Sequence, residues 1–312
     1  MSRVRLCLAC LACLGLLTQL PAQQPAEQPR AKRLENLDPA KRETLRDALK
    51  SKLDARAKRA AAGSGPGGGS QESLEKQTWK VGDVTREALV YVPKTGDGPH
   101  PVIFCFHGHG GRAEFSARKF AFHDLWPTAI VVYPQGLPTA VPTIDPEGKR
   151  SGWQKSIGDQ GDRDLEFFDA MLTTLNKDHK IDVKRIYSAG HSNGGFFTYV
   201  LGAARFENFA ALAPVAAGFN PRDAQHYKPL PILHVAGEND QIVGFASQQR
   251  TLEMIRKANG CAAEGKPAGK LCLEYASTKD APVITMIHPG GHEVPDDAPQ
   301  RIVEFFKTQA KK

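Results

Sequence analysis

Cysteine is scarce in this sequence. Of six in 312 residues, Cys7, Cys10 and Cys13 crowd into the N-terminal apolar run. Only Cys105, Cys261 and Cys272 remain for the main body, so a small fold held together by disulfides is excluded. No internal repeat is visible, which excludes a solenoid or propeller array. Long apolar runs are missing too: past the N-terminus no segment reaches the length of a membrane span. The positive excess of +7 is local. Residues 30–60 hold eleven Lys and Arg against five Asp and Glu, and from residue 61 onward the charges cancel. A neutral main body argues against nucleic acid as a partner.

At the N-terminus, Arg3 and Arg5 precede "LCLACLACLGLL", and "QLPAQQ" follows with Ala22 at a plausible cleavage edge. This pattern predicts a secretory signal peptide over 1–22, with an uncleaved anchor or a lipoprotein as alternatives. The mature chain is then expected to be secreted or periplasmic, with no stable membrane insertion. Residues 23–33, rich in Gln, Pro and Ala, read as a spacer. Asp38-Pro39 reads as a helix start, and Leu45, Leu49 and Leu53 recur at steps of four, giving a basic helical segment over 34–62. "GSGPGGGS" opens a Gly/Ser-rich linker over 63–77. The rest, 78–312, is one domain. In an oxidising compartment Cys261 and Cys272, which bracket "AAEGKPAGKL", are the natural disulfide pair, while Cys105 inside "PVIFCF" reads as a buried strand residue.

From Thr78 onward, apolar runs alternate with helical stretches. "EALVYVP", "PVIFCFH", "AIVVYP", "RIYSAG", "FAALAPVA", "PILHVAG" and "PVITMIHP" read as strands. Helices are expected near 163–178, 193–204, 246–259 and 296–310. This pattern predicts an α/β fold with a mainly parallel sheet and helices on both faces. Chemistry in such a sheet collects beyond the carboxyl ends of the strands.

Four polar loops leave those ends: "HGHGG" at 107–111, "AGHSNGG" around Ser192, "AGENDQIV" at 236–243 and "PGGHEVP" at 289–295. Gly-His-Ser-Asn-Gly lies where a strand must turn into a helix, as a nucleophile elbow requires. Ser192 is the expected nucleophile and His292 the general base, with His288 as the buried rival. Asp240 orients the imidazole, with Glu238 as rival. His191 is read as a packing or orienting residue. The backbone N–H groups of Asn193 and His109 are expected to receive an oxyanion. A metal at His107 and His109 lacks a third ligand, so no metal or other cofactor is expected. Asp159, Asp162 and Asp164 do not fit a calcium loop. Asp162 or Asp164 is expected instead to cap the helix that follows. Trp153, in the Pro-rich loop 134–161, is read as a substrate-binding aromatic or as core.

The segments "FCFHGHGG", "SGWQ", "DRDLEFFDAML", "RIYSAGHSNGGFFTYVLG", "GENDQIV", "NGC" and "PGGHEVP" resemble the exported polyhydroxybutyrate depolymerase, feruloyl esterase and acetylxylan esterase group of α/β-hydrolases, over about 78–310. The resemblance implies a Ser192–Asp240–His292 triad. It also implies an ester substrate, either feruloyl or acetyl groups on polysaccharide or short polyhydroxyalkanoate esters. A second cysteine after "NGC", as in that group, is Cys272. The chain departs from the group at His-Gly-His-Gly-Gly, where many members have Cys or Ser after His-Gly. It departs again at Glu-Val-Pro, where Thr-Trp-Pro is common. A serine peptidase on the same fold, or a binding protein that has lost catalysis, are the alternatives.

Overall fold

The computed structural model describes residues 74–312, apart from 95 and 143. The expected signal peptide, the spacer, the basic segment and the linker up to residue 73 lie outside the described residues. The linker boundary is corrected: the first strand, β1, already runs from Glu75 to Val81. Its mostly polar sequence, EKQTWKV, hides it, because it lies at a sheet edge with one face in water.

The strands that follow are β2 (Val84–Tyr91), β3 (His100–Phe106), β4 (Ile130–Pro134), β5 (Leu137–Pro138), β6 (Ser151–Gly152), β7 (Ile181–His191), β8 (Ala211–Val215), β9 (Ile232–Gly237), β10 (Lys266–Pro267), β11 (Cys272–Tyr275) and β12 (Val283–His288). Ten of them form one sheet in the order β1-β2-β4-β3-β7-β8-β9-β12-β11-β10, and β5 and β6 form a separate short ladder. The central run β4-β3-β7-β8-β9-β12 is parallel. Both flanks are antiparallel. All seven strands expected from the sequence are present.

Alternation along β3 shows how the sheet buries two faces. Val102, Phe104 and Phe106 enter one core, with Phe167, Phe168 and Val200. Ile103 and Cys105 enter the other, with Phe120, Ile302 and Phe306. Among the described residues six helices supply the covering layers: α1 (Ala113–Phe120), α2 (Phe122–Leu125), α3 (Arg163–Asp178), α4 (Asn193–Ala204), α5 (Phe245–Ala258) and α6 (Ala298–Lys307). The last four match the sequence expectation within a few residues, whereas α1 and α2 escaped it. Among the described residues no helix is long and apolar enough to cross a membrane.

Two expectations are corrected here. Asp162 stands at the N-cap position of α3, as one of the two expected residues, but it is left-handed and makes no side-chain cap bond. Asp162 instead accepts from Gln154 Nε2 at 2.7 Å and from the Gly158 N–H at 2.8 Å. Asp164 is buried, pairs with buried Arg86 at 2.9 Å and accepts the Gln154 N–H at 2.8 Å. Arg86 also lies over Phe167, 4.2 Å from its ring centroid. Removing one partner strands a buried charge. Arg86→Met is therefore expected to lower the unfolding free energy by about 3–5 kcal/mol, with Arg86→Met/Asp164→Leu recovering part of it. Urea unfolding measures both, and a single-variant loss under about 1 kcal/mol would contradict the buried pair.

The expected disulfide is also absent, since Cys105, Cys261 and Cys272 are all free thiols. Cys261 pairs across from Ser277, whereas Cys272 begins β11 five residues earlier. At about 3.3 Å per strand residue they stand far beyond bonding range. They also lie on opposite faces of the sheet, Cys272 in one core and Cys261 against the other. Unreduced protein, unfolded and alkylated, should carry label on both cysteines, and a cross-linked peptide pair would refute the separation.

Candidate active site

Four loops converge at the carboxyl ends of β3, β7, β9 and β12. Beyond β7 the chain turns sharply into α4 at Ser192, whose backbone has φ 56° and ψ −122°. A side-chain-bearing residue holds such a conformation only at a cost of about 1–3 kcal/mol. The turn is fixed by the Ser192 N–H donating to Val215 O at 2.8 Å. Gly190 and Gly194 are needed for packing. A Cβ on Gly190 would strike the Gly194 backbone, and one on Gly194 would strike the carbonyl oxygens of Phe106 and His107.

The strained turn presents the Ser192 hydroxyl to His292, with Oγ 2.8 Å from Nε2. On the other side of the ring, Nδ1 lies 2.9 Å from Asp240 Oδ2. A carboxylate only accepts, so Nδ1 carries the proton and Nε2 offers its lone pair to the hydroxyl. Asp240 is buried, and its Oδ1 accepts the N–H groups of Ile242 at 2.8 Å and Val243 at 2.9 Å. Burial pushes its carboxyl up, but the bonds from His292, Val243 and Ile242 outweigh this and hold it below the usual carboxylate range.

The rivals stand apart. Glu238 is exposed, and His288 is buried within β12, its Nδ1 taking the Gly290 N–H. His191 packs against His292, ring centroids 4.9 Å apart. Burial, with His292 adding to it, lowers the His191 pKa to about 4. It therefore stays neutral and adds no competing charge.

A second, buried chain of bonds lies behind Asp240, and nothing in the sequence pattern announced it. Gln248 Nε2 donates to Asp240 Oδ2 at 3.1 Å and to Val243 O at 2.7 Å. Its Oε1 lies 3.1 Å from His234 Nε2, and His234 Nδ1 lies 2.7 Å from the Tyr199 hydroxyl. Burial lowers the His234 pKa to about 4, so the ring is neutral, donating through Nε2 and accepting through Nδ1. Gln248→Leu breaks this chain and removes a donor from Asp240.

The "HGHGG" loop lies beside the turn: a Cβ on Gly108 would come within 3.3 Å of Ser192 Cβ. The Asn193 N–H opens α4, where no intrahelical acceptor exists. Its side chain is doubly bonded to the Trp153 backbone, accepting at 2.7 Å and donating at 2.9 Å. His109 is clamped from a distant loop, its Nε2 lying 3.0 Å from Asp145 Oδ2. Asp145 in turn accepts the N–H groups of Lys149 and Arg150. These two clamps, on Asn193 and His109, were also unread in the sequence. His107 is consumed structurally. Its Nε2 accepts the Gly136 N–H at 2.9 Å and its Nδ1 lies 2.7 Å from Gly108 O. Among the described residues no group of three or more His, Cys, Asp or Glu is placed to hold a metal ion.

Trp153 does not face substrate, which corrects its reading as a binding aromatic. It is fully buried, stacked on Phe197 with centroids 5.5 Å apart, and its Nε1 donates to His107 O at 2.9 Å. The loop that carries it does reach the site, through Val141 and Ile144. These residues, with His109, Lys155, Ser192, Asn193, Phe196, Ile242, Val243, Gly244 and Ser247, line an open cavity of about 350 Å³.

A hydroxyl held against an imidazole, itself held by a buried carboxylate and set beside the first N–H of a helix, can attack a carbonyl and stabilise the oxyanion formed. The fold itself is that of solved esterase structures. An acetyl xylan esterase structure from Aspergillus awamori superposes with a TM-score of 0.56, at 14% identity, over 75% of this chain and 99% of that one. In sequence, "Probable feruloyl esterase C" of Aspergillus flavus is 26% identical over 234 residues, spanning 73% of this chain and 83% of the relative.

The chain has the α/β-hydrolase fold and is similar to feruloyl and acetylxylan esterases.

A bifunctional acetylxylan esterase/xylanase from Neocallimastix patriciarum is 27% identical over 183 residues, 57% of this chain, which spans only a quarter (25%) of that relative's length. No protein-family model matches the chain.

Proposed function

We propose that this α/β-hydrolase is an exported serine esterase that cleaves carboxylic esters through an acyl-enzyme on Ser192. The observation that carries the reading is the unbroken chain Ser192 Oγ, His292, Asp240, at 2.8 and 2.9 Å. Ser192 Oγ attacks the ester carbonyl carbon while its proton passes to His292 Nε2. The carbonyl electrons move onto oxygen, and the N–H groups of Asn193 and His109 receive that oxyanion. Asp240 stabilises the imidazolium without taking its proton. As the tetrahedral intermediate collapses, the C–O bond to the alcohol breaks and Nε2 returns the proton to the departing oxygen. Water then attacks the acyl carbon, gives a proton to Nε2 and releases the acid, and Ser192 regains its hydrogen.

The relatives' names point to feruloyl and acetyl groups on plant polysaccharide, and the sequence resemblance adds short polyhydroxyalkanoate esters. Export, to the outside or the periplasm, rests on the N-terminal pattern of residues 1–22. The test is hydrolysis of p-nitrophenyl acetate, methyl ferulate, acetylated xylan and hydroxybutyrate oligomers by wild type and Ser192→Ala. At least one ester should be turned over by the wild type and none appreciably by the variant. Equal turnover by both would refute the reading.

A further inference from the structure

The cavity at Ser192 contains a cation, Lys155, that makes no direct ion pair among the described residues. Lys155 and Phe196 both line it, and the Lys155 ammonium lies 4.4 Å from the centroid of the Phe196 ring. Gln154 and Ser156 on either side are buried, which fixes the backbone that carries the lysine. Among the described residues no carboxylate stands within ion-pair distance of its Nζ. Of the acids nearby, Asp159 pairs with Arg222 at 3.1 Å, and Asp223 accepts from Ser156 Oγ at 2.7 Å and the Ile157 N–H at 3.2 Å through Oδ1, its buried Oδ2 making no hydrogen bond to Lys155 or to any other group among the described residues. Asp145 is held by His109 and by two backbone N–H groups.

Burial lowers the Lys155 pKa, with Asp159 opposing the shift. The ammonium has lost part of its hydration and gained in return an aromatic face and the longer-range attraction of Asp159, without a direct ion pair. A carboxylate arriving there forms a charge-assisted bond, stronger than one to a fully hydrated surface lysine. Val141, Ile144, Ile242 and Val243 give the same cavity an apolar wall, suited to a methylene or ring body between the two polar ends.

Resting on the esterase reading, we propose that this pocket selects esters whose acyl or alcohol half carries a free carboxylate, bound by Lys155 while the scissile carbonyl lies at Ser192. Such a substrate is a short monoester with an apolar body and an anionic end, of the kind released when a longer polyester or a diacid-linked chain is first cut.

Two substrate series place the carboxylate. Monomethyl esters of succinic, adipic and suberic acids, each against its dimethyl ester, put it in the acyl half. O-acetyl hydroxy acids against their methyl esters put it in the alcohol half. The readout is the ratio of kcat/KM for the anionic member to that for its neutral partner. Lys155→Met should lower this ratio about tenfold relative to wild type in one series or both, the change expected from losing one charge-assisted bond. Lys155→Arg should retain most of it, and rising salt should erode it in the wild type. An unchanged ratio in both series for Lys155→Met would overturn the proposal. Calorimetric binding of monomethyl adipate and monomethyl suberate to Ser192→Ala, lost in Ser192→Ala/Lys155→Met, tests the same contact without turnover. Equal binding to both proteins would again overturn it. If the wild type hydrolyses no ester, the esterase reading falls, and the binding comparison still decides the role of Lys155.

Discussion

Ser192→Ala should lower kcat by about four to six orders of magnitude, with KM changed far less. The hydroxyl is the only atom removed. The cavity, the oxyanion donors and the His292–Asp240 pair all survive, so ester binding continues while covalent attack stops. His292→Ala should fall into the same range, because a serine hydroxyl without a base is a poor nucleophile at neutral pH. The Ser192→Ala/His292→Ala double variant should be little worse than either single one, since either deletion already disables the unit. Steady-state kinetics on one chromogenic ester measures all three. Additive losses would mean that the two residues act separately, contrary to the 2.8 Å bond between them.

Asp240→Asn should also cost heavily, by about 10⁴ in kcat, because the amide can turn an N–H toward His292 and stabilise the wrong tautomer. Glu238→Gln should be close to silent, since that side chain faces solvent. The reverse result would move the acid to Glu238. The lowered pKa of Asp240 adds a second readout. A carboxylate whose folded pKa lies below its unfolded value contributes stability above the unfolded pKa and loses it as pH falls through the folded one. Asp240→Asn should therefore show less acid-induced loss of stability than wild type over that window. Gln248→Leu, which leaves the acid in place but removes one of its donors, should lower kcat more modestly, by about tenfold to a hundredfold. Its pH profile should shift as well, which a purely structural defect would not produce.

The parts of the molecule that were legible in the sequence share a physical cause. Parallel strands buried on both faces must be apolar throughout, so β3, β4, β7, β8, β9 and β12 announce themselves. The loops at their ends then stand out as polar and glycine-rich, which is why Ser192, Asp240 and His292 could be picked before their contacts were known. Edge strands lack that signature: β1 and β11 each keep exposed positions along their length. The helix α1, eight residues with a charged outer face, reads as loop without its partners. Tertiary pairings were the least visible. Gln248 reaches Asp240, Asp145 clamps His109 and Asn193 locks the Trp153 backbone only because the fold brings separate loops together. The binding reading of Trp153 and the Cys261–Cys272 pairing failed for the same reason, whereas the alternative reading of Trp153 as core held. A Pro-rich loop can still bury its aromatic, and two cysteines eleven residues apart can face opposite sides of a sheet.

The central claim is that Ser192 is the nucleophile, and covalent labelling tests it most directly. A fluorophosphonate should react once per chain, abolish ester hydrolysis in proportion to labelling, and be found by peptide mass mapping on Ser192. His292→Ala should label far more slowly. Stoichiometric inactivation with the adduct on any other residue, or full activity in protein labelled at Ser192, would contradict the account.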